Sequence, residues 1–281
     1  MNIPRFWARS SQRPTNAPGA PIPASCWRWS EISLEDAQRQ ADARLLELAR
    51  LLDTGGTLDR YSYSDRPLRE EIVQTIRPNA VVLTRNLYGA VVLNTSSTMF
   101  IDIDFAAGKP SPSGSLLGRL FGKSAAAPDP QELAMQRIRQ WTSKRRDLGL
   151  RVYRTFAGLR CLVTNRTFDP THSETVDLLR EIGSDPLYVR LCQAQGSFRA
   201  RLTPKPWRCG LHPPVVRYPW ANSQAESRFR QWQSAYERSS QVYAVCKLLE
   251  VIGGVAMHPE IAPIIALHDQ FACKQPAIPL A

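Results

Sequence analysis

The sequence predicts an α+β fold: one largely antiparallel sheet flanked by helices, with a long C-terminal helix. Three observations carry this expectation. An apolar stripe at helical spacing opens at Ser33, a second and longer one runs from Ser223 to Ile252, and between them lie six short β-rich runs bounded by turn residues. Helical stretches interspersed with hairpin-like strand pairs, rather than one strand per helix, give an α+β sandwich.

In chain order, residues 1–30 carry Pro4, Pro14, Pro18, Pro21 and Pro23 among few periodic apolar positions. That composition predicts an extended or disordered arm, with Trp7, Trp27 and Trp29 as the residues able to tack it to the body. From Ser33 the recurrence of Leu34, Ala37, Ala41, Leu45, Leu48 and Leu52 predicts a helix that Ser33 and Asp36 cap and Gly55-Gly56 stops. Pro67 in a first turn, with Leu68, Ile72 and Ile76 on one side, predicts a shorter helix over 66–76. The period then changes. Runs at 80–84, 89–93 and 98–105, separated by Asn86-Leu87-Tyr88-Gly89 and Asn94-Thr95-Ser96-Ser97, predict an antiparallel meander. Residues 106–128 are rich in Gly, Pro, Ser and Ala and predict a mobile insertion, within which Leu116, Leu117, Leu120 and Phe121 could cluster locally.

Asp129-Pro130 then supplies a cap and a first-turn proline for a helix ending at Gly149. Runs at 151–156 and 159–165 join tightly at Ala157-Gly158 and predict a hairpin. Helices are expected at about 170–182 and 186–193, and 198–202 alternates strictly, with Arg199 and Arg201 opposite Phe198, Ala200 and Leu202. After five prolines between 204 and 219, the stripe Phe229, Trp232, Tyr236, Tyr243, Cys246 and Leu249 predicts a helix of about thirty residues ended by Gly253-Gly254, and a last helix follows near 259–273. The expected organisation is an arm at 1–30, an α+β domain at 31–220 and a C-terminal helical segment at 221–281 packed on it.

A chain of 281 residues with 43% hydrophobic content has ample material for a core. It holds no apolar run of about 18 residues that would span a membrane. Its start, with Arg5, Arg9 and Arg13 among Pro and Ser, lacks the apolar core of a signal peptide. Six scattered cysteines without a Cys-x-x-Cys pair fit reduced thiols better than a disulfide framework. The expected compartment is the cytoplasm. The net charge is +11, and the 36 basic residues comprise 30 arginines and 6 lysines. Arginine forks onto phosphate and stacks on bases, so this balance suits a polyanionic partner; a GC-rich genome, which enriches arginine codons, would produce it as well.

The most informative stretch is Phe100-Ile101-Asp102-Ile103-Asp104-Phe105. Strand side chains alternate, so Asp102 and Asp104 share one face, and two adjacent carboxylates resist burial unless a cation or a set of Arg and Lys neutralises them. Two readings follow: a metal or phosphate site, or a solvated face whose charges discourage edge pairing. For the first, carboxylate oxygens suit magnesium or manganese, and acids at adjacent rigid positions can hold two ions about 4 Å apart. Arg199, Arg201, Lys205 and Arg208 around Trp207 form the densest basic stretch with an aromatic insert, which suits a nucleic-acid backbone with one base stacked on Trp207. A solvated strand face with Trp207 anchoring a Pro-rich loop explains it too. Cys209-Gly210-Leu211-His212 has ligand-like spacing, but a structural zinc needs four ligands and no second pair is visible. His268 and Asp269 are adjacent on the last helix, where neighbours point about 100° apart, and read as structural.

The Asp-x-Asp strand, a following helix, and a hairpin reading Tyr153-Arg154-Thr155-Phe156-Ala157-Gly158-Leu159-Arg160 together resemble the palm of the archaeo-eukaryotic primase and primase-polymerase superfamily, over about residues 79–202. The resemblance implies a primase- or RRM-like palm, a role in DNA replication, and a nucleotide or nucleic-acid partner. It implies Mg2+ or Mn2+ held by Asp102 and Asp104 as catalytic and metal-binding acids of a nucleotidyltransferase. Arg154, Arg160, Arg199, Arg201 and Lys205 would then bind phosphate. Where the family carries a nucleotide-binding His after the Gly turn, this chain has Arg160, and the family's third acid has candidates only in Asp169, Asp177 and Asp185. The alternative is a non-catalytic adaptor of a mobile-element or defence system that binds a protein partner through its C-terminal helices and Arg-rich surface.

Overall fold

A computed structural model describes residues 1–12, 24–54, 67–105, 129–275 and 277–281. The chain is α+β, with ten strands and six α-helices among the described residues. It divides into two compact units, residues 1–96 with 190–241 and residues 97–189 with 242–281. No helix among the described residues is long and apolar enough to cross a membrane. The expected insertion at 106–128 lies outside the described residues.

The first unit opens on a hairpin where the prolines suggested an unstructured arm. Strands β1 (Phe6–Ser11) and β2 (Ser25–Ser30) pair antiparallel, with Trp7 opposite Trp29. The prolines between 13 and 23 misled because they fall between the strands, not in them. Helix α1 (Leu34–Asp53) starts where expected, Ser33 Oγ accepting from Asp36 N–H at 3.1 Å. Its small residues Ala37 and Ala41 are fully buried against Ala8 of β1.

The next expectation is overturned. Residues placed in a helix over 66–76 form β3 (Glu71–Arg77), paired with β4 (Val81–Arg85). Ile72, Val73, Thr75 and Ile76 are β-branched and favour the pleat. Two register shifts break the alternation that would have betrayed a strand, and Asn79 turns the chain at φ 56°. Strand β5 (Val91–Thr95) continues the ladder as read from the sequence. Gly89 makes the turn between them at φ 90°, and a Cβ there would lie 2.2 Å from the Trp232 ring.

The expected third strand of the meander, β6 (Phe100–Asp104), leaves this sheet. The far side of β5 is taken by β9 (Phe198–Arg201), giving the order β3-β4-β5-β9. The single expected sheet is therefore two. Helix α5 (Ser223–Ser240) completes the first unit, with the Asn222 side chain accepting from Ala225 N–H.

In the second unit, α2 (Pro130–Ser143) follows its Asp129 cap, and β7 (Leu150–Thr155) and β8 (Gly158–Val163) form the expected hairpin. Helices α3 (Ser173–Glu181) and α4 (Pro186–Gln195) come next, and the division between the units falls within α4. The long C-terminal helix is corrected: after Ser240 the chain turns, and β10 (Cys246–Ile252) pairs with β7. A bulge between Leu248 and Glu250 disrupts the two-residue period, so Tyr243, Cys246 and Leu249 mimic a helical stripe. Helix α6 (Ala262–Ala272) is short. The sheet order is β10-β7-β8-β6, so the Asp strand lies on an edge, not at the centre. All six residues of β8 are buried, so both of its faces are covered.

Candidate functional site

Register places the notable side chains of the second unit in one row. Asp102 stands opposite Arg160, Arg160 opposite Tyr153, and Asp104 opposite Gly158. Directly opposed residues share a sheet face, so Asp102, Asp104, Arg160 and Tyr153 project together. Helix α6 lies over that face, its His268 ring 4.9 Å from Tyr153 and 5.4 Å from Phe100 between centroids. Arg160 is consequently 4% exposed, not on an open sheet face. Its Nε is 3.7 Å from Asp102 Oδ1 and its Nη1 3.4 Å from His268 Nε2. Asp104 is exposed at the end of the row.

Beyond Arg160 the row becomes a polar network. His268 Nδ1 lies 2.9 Å from Asp269 Oδ1; a carboxylate only accepts, so Nδ1 carries the proton. The His268 Nε2 faces Arg160 Nη1 at 3.4 Å and Cys246 Sγ at 3.9 Å. Asp269 also accepts from Tyr153 Oη at 2.8 Å and from Arg151 Nη2 at 2.7 Å. Burial would raise the Asp269 pKa, but the bonds from His268 and Tyr153 and the Arg151 charge outweigh it and hold the carboxyl below its ordinary range. Burial pushes the Tyr153 phenol well up.

Two thiols close the network. Cys246 and Cys273 face each other across a parallel bridge with their Sγ atoms 3.5 Å apart. The bond with Cys273 lowers Cys246 to about 5, against burial and with help from His268 and Arg160, while the same contact and burial push Cys273 up. The order Cys246, His268, Asp269 resembles a nucleophile, a base and its orienting acid. Burial weighs against that use: Cys246 and His268 are both 0% exposed, and a buried thiol is inert toward reagents at the surface.

The other expected residues are not gathered here. Arg154 pairs with Leu159 and so lies on the opposite face from Arg160. It stacks over Phe105 at 4.6 Å and donates to the carbonyls of Thr155 and Gly158, and burial lowers its pKa. Arg199, Arg201, Lys205 and Trp207 belong to the first unit. There Arg199 Nη2 lies 2.7 Å from both oxygens of the buried Glu70, so its charge serves the fold. Arg201 is half-buried on the same face. Trp207 is 50% exposed, with Tyr88 edge-on at 5.3 Å and Lys205 Nζ 5.5 Å from its centroid.

Among the described residues, no third acid forms a ligand cluster with Asp102 and Asp104. Asp169 bonds Thr171, Asp177 pairs with Arg180, and the Asp185 carboxylate accepts from Leu187 and Tyr188 N–H at the start of α4. Among the described residues, the one cluster of three potential ligands is Cys246, His268 and Cys273, and Cys209 and His212 fall in none. Sequence reasoning missed this cluster for two reasons. The stripe through Cys246 reads as helix, and no local spacing brings Cys246 to His268 and Cys273, 22 and 27 residues further on.

One consequence is checkable at Asp102. Its side chain is 40% exposed but its partner Arg160 is buried, so Asp102→Asn, which keeps an acceptor beside the guanidinium and removes the counter-charge, is expected to cost about 1–3 kcal/mol in urea denaturation. The chain gives no match to models of known protein families, to curated proteins or to solved structures.

Proposed function

We propose that this is a nucleic-acid-binding protein that holds single strands on its first unit, with Trp207 as the stacking platform. The observation that carries the reading is the Trp207 indole: half exposed, braced by Tyr88 and flanked by Lys205, in a chain of net charge +11. A large aromatic left in water beside a cation offers a base a π-face and its phosphate a counter-charge. Arg201 and Lys205 supply the positive side of the surface, while Arg199 serves Glu70 instead. Magnesium- or manganese-dependent nucleotidyl transfer is not part of this reading. That chemistry would fall to Asp102 and Asp104, the first of which faces Arg160.

The test is fluorescence anisotropy with a labelled single-stranded oligonucleotide across a salt series. Affinity should fall with salt with a log–log slope of about −0.7 per phosphate contact. Trp207→Ala should weaken binding about 5- to 150-fold, the worth of one stacked base, with the fold intact because the side chain is half exposed. Lys205→Ala should make the salt slope shallower. Absence of binding at low salt, or equal affinity of Trp207→Ala and wild type, would overturn the reading; the first result would favour the protein-adaptor alternative.

A further inference from the structure

The geometry points to a metal site in the second unit: Cys246, His268 and Cys273 bind one thiophilic divalent cation, zinc by the chemistry of the donors, through two sulfurs and His268 Nε2. This inference is independent of the nucleic-acid reading, since all three ligands belong to the other unit.

The distances fit. Tetrahedral zinc, with bonds of about 2.3 Å to sulfur and about 2.0–2.1 Å to nitrogen, sets sulfurs about 3.8 Å apart and sulfur about 3.6 Å from nitrogen. The corresponding separations here are 3.5 Å between the sulfurs and 3.9 Å from Cys246 Sγ to Nε2, and all three ligand atoms lie within 4.8 Å of one another. Two thiolates with an imidazole select zinc over magnesium, calcium or manganese, which prefer oxygen.

The support is rigid. Cys246 opens β10 and Cys273 follows α6 directly, and their backbones are tied by the parallel bridge and by Val245 N–H to the Ala272 carbonyl at 2.9 Å. Asp269 fixes the His268 tautomer through Nδ1, which is how metal-bound imidazoles are held and made more basic. Asp269 is itself anchored by Tyr153 and Arg151. Cys273 is partly exposed and gives the ion a route from the surface.

Three protein ligands leave a fourth position for an outside donor. Arg160 Nη1 lies 3.4 Å from Nε2, where an ion bound to that nitrogen would displace it toward its other partner, Asp102. A guanidinium at that point favours a negatively charged fourth ligand, such as hydroxide or a carboxylate or phosphate oxygen. The two thiolates offset the charge of the ion.

The full chain, purified with a non-chelating reductant, should contain one zinc per chain by mass spectrometry. After chelation, cobalt should restore a thiolate-to-cobalt charge-transfer band and the intense visible bands of a tetrahedral site. Cys273→Ser, at a partly exposed position, should lose the charge-transfer intensity and the stoichiometric zinc. Cys209→Ser and Cys192→Ser, outside the cluster, should keep both. Asp269→Asn should bind zinc about 10- to 100-fold more weakly, as loss of an orienting partner does. Zinc should also raise the melting temperature of the chelated wild type, which tests the site without any substitution. No zinc and no cobalt band with all thiols reduced would overturn the inference. So would a Cys246–Cys273 disulfide whose reduction restores no metal uptake, or a Cys273→Ser protein that binds cobalt like wild type.

Discussion

Glu70→Ala is expected to destabilise the first unit by about 3–5 kcal/mol, the cost of leaving a buried charge without its partner. Glu70 is 6% exposed and takes both 2.7 Å contacts from Arg199 Nη2, while its Oε2 also accepts from Thr84 Oγ1 at 2.6 Å. Thr84 Oγ1 in turn accepts from Asn94 Nδ2, so the substitution strands a buried network and not one bond. Replacing Glu70 and Arg199 together by Leu and Met should recover part of the loss, since no unpaired charge remains, while the Thr84 hydroxyl still loses its acceptor. Urea denaturation followed by tryptophan fluorescence reads this directly. Six of the seven tryptophans lie in the first unit, and Trp141 reports on the other. The same Arg199→Met, Glu70→Leu protein should bind oligonucleotide as wild type does, which separates the structural arginine from the binding surface around Trp207.

Gly158→Ala is expected to destabilise the second unit by about 3 kcal/mol, the upper end of what overpacking costs. Gly158 opens β8 opposite Asp104, and a Cβ there would lie 2.0 Å from the Ile103 carbonyl oxygen and 3.0 Å from the Asp104 Cα. Neither obstacle is a flexible side chain, so relief requires β6 and β8 to separate. A circular-dichroism melt should show the loss, and hydrogen exchange should show faster opening of the Ile101 and Ile103 amides on the edge strand. Because Asp102 meets Arg160 through this same pairing, the variant should also loosen the polar row. A melt unchanged from wild type would mean that the two strands are not held at this distance.

The Asp strand shows how far local pattern reaches. Alternation put Asp102 and Asp104 on one face, as found, and the Gly turn put Arg160 on the second strand of a hairpin; that this strand pairs with the Asp strand is a finding of the structure. What counts as neutralisation was not legible. Arg160 is buried beneath α6, 108 residues away in sequence, and is shared between a carboxylate and an imidazole. Arg154, four residues before Gly158 in the same hairpin, looked equivalent to Arg160 and lies on the other face.

The sequence by itself determined the α+β class, the capped starts of α1 and α2, the start of α5, the tight β7–β8 hairpin and the alternation of β9, since each depends on contacts within a few residues. Tertiary structure decided the rest. Turn residues say that the chain reverses but not which strand becomes the neighbour, so one meander became parts of two sheets. Bulges in β3 and β10 erased the two-residue period, and only pairing with β4 and β7 made those segments strands. The thiol and imidazole cluster depends on both: Cys246 meets His268 and Cys273 only because β10 is a strand beside β7 and α6 folds back over that sheet. Side chains distant in sequence converge through backbone pairing, and no local period records it.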